Sequence, residues 1–265
     1  MVGASARSLR SKSKIKNQNV KLMKKLIVAN WKMNPKSLKE ASALFGAVKA
    51  GAKGVKNIEV IICPPAVWLA KFKAGGAVKL GAQNCHWETE GAYTGELSAR
   101  MIADAGANFV IVGHSERRQY MGETNAIINL KIKAALKARL KPILCVGEKE
   151  GEEMGLAVEE QMTLGLAGLS VNQMKDLVVA YEPVWAIGTG QGCQPDNALS
   201  ANLFIKRTLT KLYSRFLADK TPVLYGGSVT SADCASYITD AQMDGVLVGG
   251  ASLDSKEFNK IIEGL

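Results

Sequence analysis

Glu182 closes an apolar run, Val178-Val179-Ala180-Tyr181-Glu182, and is followed at once by Pro183-Val184-Trp185. A carboxylate at the end of a buried run, with such neighbours against it, is stripped of part of its water. That suits a general base, although a surface ion pair would also account for a glutamate there. His114 closes another run and precedes Ser115-Glu116-Arg117-Arg118; it is one of two histidines in the chain. A helix starting at that point disfavours the imidazolium and leaves a neutral ring able to donate an N–H to a substrate oxygen, whereas a lone histidine can equally be structural. Lys32 lies two residues beyond Asn30 at the end of a third run. On extended chain the two side chains share one side, and an ammonium there attracts an anionic substrate and stabilises a developing oxyanion. Most lysines are simply solvated.

Anion chemistry is also written into the glycines. Gly226-Gly227-Ser228 and Gly249-Gly250 follow two further runs. Successive N–H groups in such segments form anion nests, and phosphate sites in parallel barrels frequently use the loops after strands seven and eight. Between Glu182 and the glycines runs Pro183-Val184-Trp185-Ala186-Ile187-Gly188-Thr189-Gly190, apolar yet framed like a loop. A lid that closes over a ligand would use Val184, Trp185 and Ile187 to exclude water and Gly188 to offer an N–H to an anion. A loop packed permanently on the surface is the alternative.

These residues stand at the ends of eight β-rich runs: Leu26–Asn30, Glu59–Cys63, Val78–Asn84, Phe109–His114, Pro142–Gly147, Leu177–Glu182, Pro222–Gly226 and Gly245–Gly249. Most are continuous in Val, Ile and Leu, which means strands buried on both faces and therefore parallel, covered by helices. The intervening segments have helical spacing. Ser37-Leu38-Lys39-Glu40 reads as a capping box before Leu44, Phe45 and Val48, and Ile128, Ile132, Ala135 and Leu136 form one stripe. The connections from run two to three and from seven to eight are too short for long helices. Eight such units predict an α/β fold, a (β/α)8 barrel of eight parallel strands with outer helices. A doubly wound open sheet is the alternative, weakened because no G-x-G-x-x-G follows the first run.

The chain has 265 residues and a formal charge of +10. Eight of its 34 basic residues precede Leu26 and no acid precedes Glu40, so the rest is nearly neutral. The division predicts a basic disordered leader over 1–22 and one barrel domain over 23–265. The leader lacks the apolar core of a secretory signal. It reads as an organelle-targeting segment, as a nucleic-acid-binding tail, or as a stretch upstream of a start at Met23. Cys63, Cys85, Cys145, Cys193 and Cys234 are odd in number, widely spaced and without C-x-x-C, which implies no disulfide framework or zinc site and fits a reducing cytoplasm. The neighbours Cys85 and His86 are too few to ligate a metal and read as structural. No run of about 18 apolar residues exists, so no membrane span is expected.

Five segments together carry a resemblance. Asn30-Trp31-Lys32-Met33-Asn34, Gly113-His114-Ser115-Glu116-Arg117-Arg118, Ala180-Tyr181-Glu182-Pro183-Val184-Trp185-Ala186-Ile187-Gly188-Thr189-Gly190, Tyr225-Gly226-Gly227-Ser228 and Gly245-Val246-Leu247-Val248-Gly249-Gly250-Ala251 resemble, in order, the signature segments of the triosephosphate isomerase family. The likeness runs from about Lys24 to the C-terminus. It implies a TIM barrel that interconverts dihydroxyacetone phosphate and D-glyceraldehyde 3-phosphate by proton transfer through an enediolate, in glycolysis and gluconeogenesis. It implies no cofactor, no metal, and neither nucleic acid nor membrane as a partner.

On this resemblance Glu182 is the base and His114 the electrophile. Lys32 and Asn30 bind substrate and stabilise the enediolate, while Gly188, Ser228, Gly249 and Gly250 hold the phosphate. Ser115 and Glu116 support the centre, and Pro183, Val184, Trp185, Ala186, Ile187, Gly188, Thr189 and Gly190 form the lid. The family is usually a cytoplasmic homodimer, joined by a loop after strand three that enters the neighbouring subunit. Gln83-Asn84 and Gly91-Ala92-Tyr93-Thr94-Gly95-Glu96 match that loop, making Thr94 and Glu96 interface candidates with Arg117 as their partner.

The chain departs from the family in its leader and at the lid's distal end. There the family has a lysine, a small or β-branched residue and an alanine, and this chain has Gln191-Gly192-Cys193. Gly192 adds backbone freedom, which predicts altered lid kinetics with the chemistry kept. Other readings are narrower. A sugar-phosphate epimerase needs more metal-ligand histidines, a Schiff-base aldolase needs a lysine within a strand, and a non-catalytic protein would bind nucleic acid or membrane through residues 1–22 with strong salt dependence.

Overall fold

The computed structural model describes residues 24–188, 190 and 192–265. The leader 1–22, the candidate start Met23, the lid residue Thr189 and the hinge residue Gln191 lie outside the described residues. Eight strands follow one another: β1 (Lys25–Asn30), β2 (Ile58–Cys63), β3 (Val78–Ala82), β4 (Phe109–Val112), β5 (Lys141–Val146), β6 (Val178–Tyr181), β7 (Val223–Tyr225) and β8 (Gly245–Val248). Each pairs in parallel with the next, and β8 returns to β1 with Val28 opposite Leu247, closing the barrel. The predicted (β/α)8 architecture is therefore the observed one, and the open-sheet alternative is excluded by the β1–β8 ladder.

The continuous apolar runs have a direct cause. Leu26, Val28, Ile61, Cys63, Phe109, Ile111, Ile143, Cys145, Val178, Ala180, Leu224 and Leu247 pack together inside the barrel. Their alternate neighbours, among them Ile27, Ala29, Val60, Ile62, Val110 and Val179, face outward into a second core shared with the helices. Apart from Lys25, Glu59, Lys79 and Lys141 near the strand starts, both faces of the strands are buried, so no strand alternates with polar residues along its length.

The helix Leu38–Gly51 starts as expected, with the Ser37 hydroxyl accepting from the Glu40 N–H, and buries Ala41, Leu44, Phe45 and Val48. The helix Asn125–Lys137, capped by Thr124, buries Ile128, Ile132 and Ala135. The two short connections carry only Ala66–Leu69 and Cys234–Thr239. Among the described residues no helix is long and apolar enough to cross a membrane.

Several strands end one or two residues before the apolar runs do: β3 at Ala82, β4 at Val112, β6 at Tyr181. The residues left over are those with polar chemistry. Of these, His114 and Glu182 line the cavity at this end of the barrel. The strand period explains which ones do so. Inward positions 26 and 28 continue to Asn30, and 178 and 180 continue to Glu182.

Candidate active site

Glu182 is only 1% exposed, deeper than its neighbours alone would suggest. Its N–H donates to Val146 O at 2.7 Å. A Cβ at Gly147 would lie 1.8 Å from the Glu182 carbonyl oxygen, so only glycine lets β5 and β6 approach this closely at their ends. The side chain crosses the barrel mouth. Its Oε2 accepts the Ser115 N–H at 2.9 Å, and its Oε1, buried and without a hydrogen-bond partner among the described residues, lies 3.3 Å from His114 Nε2.

His114 caps the helix Ser115–Tyr120, and its Nδ1 accepts the Glu116 N–H at 3.2 Å. A ring nitrogen that accepts carries no proton, so the imidazole is neutral and its proton sits on Nε2, facing Glu182 and the cavity. The expected helix start is present and acts through this bond. Arg118 braces the same corner: its Nε donates to Gly113 O at 2.7 Å and its Nη2 to Cys145 O at 3.0 Å, tying the ends of β4 and β5 together.

Lys32 and Asn30 also meet, but not by extended alternation. Lys32 has φ +52°, a left-handed conformation uncommon for a side-chain-bearing residue. Its own N–H bonds Asn30 Oδ1 at 3.1 Å, and Gln83 Nε2 donates to both Lys32 O and Cys63 O, at 2.8 and 2.9 Å. The turn brings the ammonium back over the barrel, where Nζ reaches Glu116 Oε1 at 2.5 Å.

Asn30, Lys32, His114, Glu182, Gly188, Ser228, Gly249 and Gly250 all line one cavity of about 280 Å³. At its far side a 3₁₀ turn, Gly250–Leu253, opens directly onto it, and the Ser252 hydroxyl anchors that turn on Gly249 O at 2.6 Å. N–H groups at the start of such a turn point outward toward an anion. The expected lid segment begins as a 3₁₀ turn, Val184–Ala186. Trp185 Nε1 donates to Glu148 Oε1 at 2.7 Å, Tyr181 OH donates to the same carboxylate at 3.1 Å, and Ser228 Oγ donates to Ala186 O at 2.8 Å.

Ser115 supports Glu182 from beneath through its N–H. Glu116 stands beside a neighbouring groove and touches the centre only through Lys32 and His114. Thr94 and Glu96 lie on an exposed segment whose base is closed by the His86 N–H bonding Leu97 O at 2.8 Å. Buried His86 stacks on Trp87 and packs at a tilt against Tyr93. Arg117 is paired with Glu123, which also holds the buried ammonium of Lys131. Among the described residues no three His, Cys, Asp or Glu side chains gather as metal ligands.

Sequence reasoning did not single out Gln83, Arg118, Glu148 or the pair Tyr225 and Tyr237 for their roles. Gln83 and Glu148 do stand at run ends, where a polar residue signals the site. Tyr237 has no such signal, because it reaches Cys193 from the helix Cys234–Thr239.

The sequence model of the triosephosphate isomerase family matches residues 25–265. Curated relatives bear the same name. The protein of Carboxydothermus hydrogenoformans is 46% identical over 250 residues, 92% of this chain and 99% of that one. That of Endomicrobium trichonymphae is 43% identical over 249 residues, 91% of this chain and 99% of that one. The Aquifex aeolicus protein is 43% identical over 247 residues, with 91% and 99% covered. Likeness that spans the whole barrel, from the first strand through the last helix, leaves no segment of the fold to another ancestry: the chain belongs to the triosephosphate isomerase family.

Proposed function

We propose that Glu182, His114, Lys32 and Asn30 carry the triose-phosphate isomerisation of this family in the chain. The reaction interconverts dihydroxyacetone phosphate and D-glyceraldehyde 3-phosphate, a step of glycolysis. The Glu182 carboxylate takes the proton from the carbon beside the carbonyl. The electron pair moves onto the carbonyl oxygen, giving an enediolate, and Glu182 returns the proton to the adjacent carbon. The Nε2–H of His114 polarises the carbonyl and serves proton transfer between the two oxygens, and the Lys32 ammonium and Asn30 amide face the developing charge. Gly188, Ser228, Gly249 and Gly250 hold the phosphate, and the lid Pro183–Gly190 excludes the water that would promote loss of phosphate from the intermediate.

One observation carries this reading: a buried carboxylate oxygen with no hydrogen-bond partner among the described residues sits 3.3 Å from an imidazole nitrogen whose proton is fixed by a bond on the far side of the ring. The test is a coupled assay with D-glyceraldehyde 3-phosphate, comparing the protein with Glu182→Gln. A fall in turnover of roughly 10²–10⁴-fold is expected, the usual contribution of a general base. Wild-type turnover no higher than that of the variant would overturn the reading.

The same reading extends to assembly and place. A groove of about 590 Å³ beside the cavity is lined by Met33, Glu96, Arg117, Tyr120 and Met121, with Met33 92% exposed. Apolar side chains left in the open next to a protruding loop favour a homodimer in which Thr94 and Glu96 enter the partner. Sedimentation of the 28.3 kDa chain as a monomer at micromolar concentration would refute it. Five free, buried thiols support a cytoplasmic protein. Residues 23–265 form the working domain, supported by the family match, and residues 1–22 stand outside it.

A further inference from the structure

The lid's distal end is gripped by two tyrosines. The Cys193 N–H donates to Tyr225 OH at 2.9 Å, and Tyr237 OH donates to Cys193 O at 3.0 Å. The two rings stack with centroids 3.8 Å apart, and both are buried. Tyr225 ends β7, next to the phosphate glycines, while Tyr237 comes from the helix Cys234–Thr239 behind them. Burial pushes both phenols up from their ordinary range, so each hydroxyl keeps its proton throughout working conditions.

Gly192 lies inside this grip. Its backbone is not in the left-handed region, so an alanine is allowed there on conformational grounds. Its missing side chain has another cause. A Cβ would fall 2.1 Å from the Tyr237 hydroxyl and 2.8 Å from Ser228 O. Extra freedom at a glycine hinge is therefore countered locally, because the phenol fills the space a side chain would take.

We propose that Tyr237 is a positioning residue for the lid, matched to Gly192, and that it fixes the distal hinge by holding the Cys193 carbonyl where Tyr225 already holds the N–H. With both groups of one peptide held, the lid is hinged against a rigid end. Its closed form over the substrate phosphate is then reached without first ordering residues 192 and 193. Losing the bond lowers the fraction of molecules whose hinge is ready, and apparent affinity falls by that fraction. This rests on the proposed lid and phosphate cradle. Tyr237 touches no substrate, so it acts only on ligands whose phosphate draws the lid closed.

The test uses the full chain with Tyr237→Phe, Gly192→Ala and the double variant. Kinetics are measured on D-glyceraldehyde 3-phosphate and on phosphate-free D-glyceraldehyde, with thermal melting alongside. Tyr237→Phe should raise KM for the phosphorylated substrate about fivefold, the weight of one hydrogen bond, with a smaller change in kcat. Its kcat/KM on D-glyceraldehyde should stay within about twofold. Gly192→Ala should lose more, and adding Tyr237→Phe should recover part of that loss by removing the clashing oxygen. A KM effect confined to the phosphorylated substrate is the signature that a purely structural tyrosine would not give, and recovery beside Gly192→Ala checks the steric match of the pair. The proposal falls if Tyr237→Phe leaves KM unchanged, if both substrates suffer equally, or if the double variant is no better than Gly192→Ala. An inactive wild type would overturn the functional reading with it, whereas an active wild type with any of those outcomes overturns the hinge alone.

Discussion

His114 Nε2 stands 3.3 Å from Glu182 Oε1, while the opposite nitrogen of the same ring accepts the N–H of Glu116 at 3.2 Å. The backbone bond decides which nitrogen carries the proton, and the strand end decides which carboxylate it faces. Replacing His114 by Gln keeps a donor of similar reach but loses the ring's fixed orientation and its ability to relay a proton. Turnover should fall by roughly 10²–10³-fold with a much smaller change in KM, because the interaction strengthens as charge develops. Steady-state kinetics in both directions measure this, and equal losses in kcat and in affinity would show that His114 only binds.

Gln83 is the residue through which the strained Lys32 turn is held. Its amide satisfies two carbonyls, those of Lys32 and Cys63. Gln83→Met preserves volume and removes both bonds. Stability should fall by about 1–3 kcal/mol, since two partly buried acceptors lose their partner. The effect on catalysis should pass through Lys32. A double-mutant cycle with Lys32→Met checks the route: the second substitution should cost much less kcat/KM in the Gln83→Met background than in wild type. Full additivity would mean that Gln83 matters to the fold and not to the ammonium.

What could be read from the chain, and what could not, follows from the range of the forces involved. Continuous Val-, Ile- and Leu-rich runs announce strands dry on both faces, so the eight-unit order was legible. Asn30 and Glu182 were legible as candidate site residues because they continue an inward-facing row to the strand ends, and both line the cavity there. Lys32 was found for a partly different reason from the real one: a left-handed turn at Lys32 itself, held by Gln83 from 51 residues away, brings it beside Asn30. Likewise Gly192 reads locally as freedom, and only the approach of Tyr237, 44 residues on from Cys193, shows it as a socket. Tertiary partners of this kind leave no periodicity. Arg117 was expected to serve the neighbouring subunit, and within one chain it pairs with Glu123.

Gly147 carries no chemistry, yet the site depends on it. Alanine there sets a methyl carbon 1.8 Å from the Glu182 carbonyl oxygen, a main-chain atom that cannot swing aside. β5 and β6 must part at their ends, and the Glu182 N–H bond to Val146 O goes with them. Gly147→Ala should therefore cost about 3 kcal/mol or more in denaturant unfolding, as overpacking against backbone does. Catalysis should fall in the folded fraction too, because the proposed base moves. Activity retained per folded molecule would show that Glu182 is positioned by Ser115 alone.

Glu257 tests how the phosphate loops are anchored from outside. Its carboxylate accepts the Ser231 N–H at 2.6 Å, three residues beyond Ser228. That bond to backbone holds the carboxyl below its ordinary value of 4.5. A group depressed on folding contributes stability that is fully present above its unfolded value, and the contribution disappears as pH falls through the lower, folded value. The melting temperature of wild type should exceed that of Glu257→Gln at pH 7, and the difference should shrink progressively below pH 4.5 until the two curves meet. Because the side chain is well solvated, the difference at neutral pH should be small and should weaken with added salt. A gap that stays constant down to pH 2 would assign the effect to lost packing and leave the Ser231 bond without a share in it.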